Sequence, residues 1–111
     1  MSDVISLPGR DWTEAEDAEI ARLAKTRGTR FLLECSHTDE GDPWCVVRET
    51  RNSTIIVHIA KIDRRYVVVV PFEGRSQRPD TMGTAVDQAI QALQRASVLS
   101  AVHPDGGAKA V

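Results

Sequence analysis

Apolar and polar positions change period several times along the chain, and the clearest signal lies between Ser53 and Pro71. Two apolar runs there, Ile55 to Ala60 and Tyr66 to Val70, are interrupted by Asp63, Arg64 and Arg65. The β-branched side chains are stiff at χ1 and suit a pleated surface, so the stretch predicts a hairpin at the centre of an antiparallel sheet. Upstream, Phe31, Leu33 and Cys35 alternate with Arg30, Leu32 and Glu34, which predicts a half-buried first strand. A second strand follows from Trp44 to about Thr50, and Pro71 ends the fourth. The polar stretch Phe72 to Asp80 reads as a loop.

Helical spacing brackets these strands. Asp11 with Glu14, or Thr13 with Glu16, signals the start of a first helix, and Gly28 supplies its left-handed stop. Its apolar stripe is thin: Trp12, Ile20, Leu23 and Ala24. A second helix, starting at Thr81 or Thr84, carries the wider stripe Met82, Ala85, Val86, Ala89, Ile90, Leu93 and Ala96. The fold class is therefore α+β, a four-stranded antiparallel meander flanked by an N-terminal and a C-terminal helix. The expected organisation is a flexible lead-in over 1–10, one domain over 11–99 and a disordered tail over 100–111.

Both helices are expected on one face of the sheet, which raises a problem of cover. Strands three and four are apolar on both sides: Ile55, Val57 and Ile59 are read as pointing one way, Ile56 and Ala60 the other. Val67 and Val69 likewise oppose Tyr66, Val68 and Val70. Soluble monomers avoid exposing such a face, so a homodimer is expected, with Trp44, Ile56, Val67 and Val69 as candidate interface residues. Trp44 has a second reading as a core residue beneath helix one, near Trp12, and its large apolar area favours that placement.

Composition narrows the classes without choosing a function. At 111 residues the chain supports one core, and 41% hydrophobic with 27% charged residues is too apolar for a wholly disordered protein. A net charge of −2 gives no global pull toward nucleic acid or anionic membrane. The first fifty residues hold 11 acids and 6 bases and the remainder 5 acids and 8 bases, so unlike halves can face each other, in cis or across a dimer. No secretory signal or membrane span is read from the sequence, which predicts a cytoplasmic protein with Cys35 and Cys45 as free thiols.

Three kinds of chemistry have candidates. A turn centred near Glu40 would set Cys35 opposite Cys45, with His37 two residues along and His58 on strand three, a ligand set that suits zinc, although no tight CxxC pair is present. Asp39, Glu40 and Asp42 offer oxygen ligands but lack calcium-loop spacing and read better as a solvated turn. For catalysis, a Cys45 thiol with His37 or His58 as base is imaginable, but no motif arranges a nucleophile, so an enzyme is not favoured and no cofactor is implied. Finally, Arg64 and Arg65 at the hairpin tip, with Arg75 and Arg78 before helix two, are candidate ligand-binding residues for phosphate or nucleic acid. The order helix, strands, helix resembles double-stranded RNA-binding domains, but the fourth strand and the absence of lysines at the start of helix two depart from that family. The sequence thus favours a small interaction or regulatory module with a second copy or another protein as partner, and nucleic acid as a possible but unfavoured one.

Overall fold

The computed structural model describes residues 11–102. The lead-in 1–10 and the end of the tail lie outside the described residues. Thr13 opens α1, Glu14–Thr26, with a complete capping box: its hydroxyl accepts from the Glu16 N–H and the Glu16 carboxylate accepts from the Thr13 N–H. Beyond Arg27, Gly28 takes φ 72° and turns the chain toward the sheet.

The strands β1 (Phe31–His37), β2 (Pro43–Glu49), β3 (Ile55–Ile62), β4 (Arg65–Val70) and β5 (Arg75–Gln77) pair in sequence order, every neighbour antiparallel. The α+β class and the meander are as expected, with one strand more than the sequence predicts. A single 3-10 turn, Pro71–Glu73, and Gly74 at φ 64° fold the chain back so that β5 pairs with the second half of β4. Its residues, Arg-Ser-Gln, carry no apolar alternation, which is why the stretch reads as a loop. Thr81 caps α2, Met82–Val102, through a hydrogen bond from the Thr84 N–H, so the earlier of the two expected starts is used. The helix runs on through Ser100 to Val102, residues that the sequence assigns to the tail.

Both helices lie on one side of the sheet. α2 spans β3 and β4 and α1 lies beside α2, and Ile20, Leu23, Cys45, Val47, Val57, Ile59, Val68, Val70 and the α2 stripe form one core. Arg22 clasps the helices together, reaching Asp87 at 2.8 Å and the Gly83 carbonyl at 3.2 Å. The expected alternation on β3 fails at one point. A bulge where β3 meets Val47 and Arg48 sets Arg48 opposite Ile55, so Ile56 joins Val57 in the core and Ile55 turns to the other face.

Polar groups also enter the helix side. Lys61, 5% exposed, donates to the Glu16 carboxylate at 2.8 Å and to the Asp11 carbonyl at 2.8 Å, and the Tyr66 hydroxyl donates to the other Glu16 oxygen. Burial pushes the Glu16 carboxyl upward, but hydrogen bonds from Lys61, Tyr66 and Thr13 and the Lys61 charge outweigh it and hold the group below its ordinary value. Tyr66 is pushed up to about 12 by burial and by its bond to Glu16.

Removing Lys61 leaves Glu16 buried without its cation, so Lys61→Met should lower the unfolding free energy by about 3 kcal/mol in a urea titration. Because Glu16 titrates lower when folded, its contribution is present above its unfolded value and lost as pH falls through the folded one; Glu16→Gln should flatten that acid slope. Val68, with 0% exposure at the centre of β4, should not tolerate Asp: a soluble Val68→Asp variant with an unchanged melting point would contradict this packing.

Candidate functional site

Among the described residues, no helix packs on the face of the sheet opposite α1 and α2. Alternation and register lay out its rows: Ser36, Trp44, Ala60 and Val67 in one, Glu34, Val46, His58, Val69 and Ser76 in the next, and Leu32, Arg48 and Ile55 in a third. At its centre is a shallow depression of about 380 Å³, lined by residues including Trp44, Val46, Ile55, His58, Val69 and Pro71. Trp44 and His58 meet edge to face, ring centroids 5.9 Å apart. Burial holds the His58 imidazole below its ordinary value, so the centre of the face is uncharged at neutral pH. Arg48 at the rim is occupied by Glu34 at 2.8 Å and the Ser53 carbonyl at 3.2 Å.

Of the candidate interface residues, Trp44, Val67 and Val69 share this face. Ile56 does not: the bulge takes it into the core. Placing Trp44 beneath α1 is also incorrect, since Trp12 packs against the helix-side core while Trp44 stands on the opposite face. The physical reason is period two: Pro43 and Cys45 point toward the helices, so Trp44 between them cannot.

The thiols do meet. Cys35 and Cys45 are direct cross-strand partners on the helix side. Hydrogen bonding toward Cys45 draws the exposed Cys35 thiol down to about 7, while the same interaction and burial push Cys45 up. The four-ligand zinc set is not formed. His58 pairs with Val46, one residue out of step with Cys45, and therefore lies on the other face. His37 turns instead to Asp11, with Nε2 3.1 Å from the carboxylate. Among the described residues, no group of three or more His, Cys, Asp or Glu side chains converges on a possible ion site. The same split separates His58 from Cys45 as a base.

The arginines divide differently. Arg64 and Arg65, from the β3–β4 turn, meet Arg78 from the loop before α2 in a pocket of about 330 Å³ completed by Tyr66, Pro79 and Asp80. Arg75 stands apart on β5, 3.5 Å from Glu73. Sequence reasoning did not find the buried Lys61, Glu16 and Tyr66 cluster, although a lysine at an inward position of an apolar strand was a visible signal.

With a thiol near 7, Cys35 should alkylate quickly in native protein and Cys45 only after unfolding. Peptide mass spectrometry after brief iodoacetamide treatment should locate the adduct, with the Cys35 rate falling about tenfold from pH 8 to pH 6. Equal labelling of both thiols would contradict the asymmetry.

No helix among the described residues is long and apolar enough to cross a membrane. Comparison with protein-family models, with curated proteins and with solved structures gives no match for this chain.

Proposed function

We propose that this protein is a small interaction module that pairs with a second copy of itself through the open face of its sheet. The observation that carries the reading is the partly exposed apolar surface of Trp44, His58, Val67 and Val69 around the buried Val46, over which no helix packs among the described residues. Isologous pairing suits such a patch, since a two-fold axis brings each aromatic against apolar surface of the partner. The two free thiols fit a reducing compartment such as the cytoplasm.

The size of the patch sets the expected strength. Strands about 4.8 Å apart, rising about 3.3 Å per residue, give β1 to β4 an open face of roughly 400 Å². A standard interface takes about 800 Å² from each partner, so this contact is a reversible one that depends on its aromatic anchor.

Sedimentation equilibrium over a wide concentration range should therefore show the 12.2 kDa chain passing from monomer to dimer. Trp44→Ser combined with Val69→Ser should abolish that transition while leaving circular dichroism unchanged. Acid should weaken pairing, because protonating His58 puts a charge among Trp44, Val46 and Val69 beside Arg48. A wild-type chain that stays monomeric at every concentration sinks the proposal.

A further inference from the structure

We infer that Arg64, Arg65 and Arg78 form a binding site for a phosphate dianion, free or carried on a small organic ester. The site is separate from the apolar patch and does not depend on self-association.

The argument begins with how the other arginines are used. Arg22, Arg30, Arg48, Arg51, Arg75 and Arg95 each reach a carboxylate, and Arg27 donates to the carbonyls of Gly28 and Phe31. Arg64, Arg65 and Arg78 have no ion pair or side-chain hydrogen bond among the described residues. Among the described residues, the arginines left without a partner are thus the ones that line a single pocket, although they come from the turn that opens β4 and from the loop before α2.

Charge and shape then select the ligand. Three guanidinium groups against the single carboxylate of Asp80 leave a local charge of +2, which matches a phosphomonoester carrying about −2 near neutral pH. Guanidinium forks bind phosphate oxygens in pairs, which makes arginine the better residue here than lysine. The volume of about 330 Å³ is at the small end for ligand sites, and the Tyr66 ring and Pro79 supply an apolar wall for whatever carries the phosphate.

The backbone shows that Arg64 is held against its own preference. Asp63 and Arg64 are the two central residues of the β3–β4 turn, at φ 54° and 67°, a conformation that favours Asn-Gly. A residue chosen only for the turn would be glycine.

The competing account is that these charges merely guard the part of β4 that β5 leaves unpaired. Titration of the full chain with inorganic phosphate, phenyl phosphate and phenol, followed through the arginine Nε–H resonances, separates the two. The inference predicts saturable shifts at Arg64, Arg65 and Arg78 with both phosphates and none with phenol. Tighter binding of phenyl phosphate assigns the site to an ester, and equal binding assigns it to inorganic phosphate. Arg78→Gln should weaken binding about tenfold or more. Arg64→Gly should do the same while leaving the melting temperature equal or higher, because glycine accepts the left-handed turn. The inference is overturned if no saturation occurs below about 10 mM, if both variants bind as the wild type does, or if shifts spread evenly over all the surface arginines. It is also overturned if a single-stranded oligonucleotide binds across Arg30, Arg48 and Arg51 far more tightly than either phosphate, which would make the surface a nucleic-acid interface.

Discussion

The Glu16 carboxylate, buried between α1 and the β3–β4 hairpin, holds three parts of the structure at once. It closes the α1 capping box through the Thr13 N–H, neutralises Lys61 on β3 and accepts from Tyr66 on β4. The arrangement answers a shortage of apolar material: the only apolar side chains that α1 buries are Ile20 and Leu23, too few to fix a helix on a sheet by hydrophobic contact alone. A buried ion pair adds little net stability after desolvation, but it is exacting about geometry, because displacing either partner strands a charge in the core. Glu16 thus ties α1 to the hairpin while Arg22 ties it to α2, which gathers both helices on one side of the sheet and leaves the opposite face without a helix over it among the described residues.

That second face was legible in outline and wrong in detail. Strands apolar on both sides, flanked by only two helices, imply a face with no helix over it, and among the described residues this face has none. Which isoleucine faces it was not legible. The bulge opposite Val47 and Arg48 falls between Ile55 and Ile56, two identical β-branched residues with no glycine to mark the irregularity, and it exchanges their faces. Trp44 was legible after all. The register that brings Cys35 to Cys45 on one side sends the residue before Cys45 to the other.

Pairing across a short turn is visible in a sequence, and convergence across a sheet is not. Cys35 and Cys45 flank one loop, so counting from its centre brings them together. His58 is a strand further on, and its face depends on a register that no local feature states. Arg78 is more remote still. It reaches the hairpin turn only because the chain reverses at Gly74 into β5, a strand of three polar residues held by backbone pairing with Val68, Val69 and Val70. Hydrophobic periodicity is silent where backbone hydrogen bonds alone make the structure.

Local conformational preferences elsewhere agree with the fold. Thr13 and Thr81 cap helices, and where Ser53 is forced to a left-handed φ of 62°, its N–H donates to the Glu49 carbonyl and the Asn52 side chain accepts from Thr54. The Asp63–Arg64 turn departs from this pattern. Both residues take the left-handed conformation, and neither side chain makes a compensating hydrogen bond among the described residues. A non-glycine residue held there costs on the order of 1 kcal/mol, a sizeable share of the margin by which a domain of this length is stable. Edge protection does not explain the cost, because a lysine or glutamate on the strand itself would guard β4 without straining the turn. What the turn gains from Arg64 is position: a guanidinium at the hairpin tip, beside Arg65 and facing the loop that carries Arg78. Strain kept where a relaxed alternative is available is what the proposed phosphate site asks of Arg64, and the scaffold alone gives no reason for it.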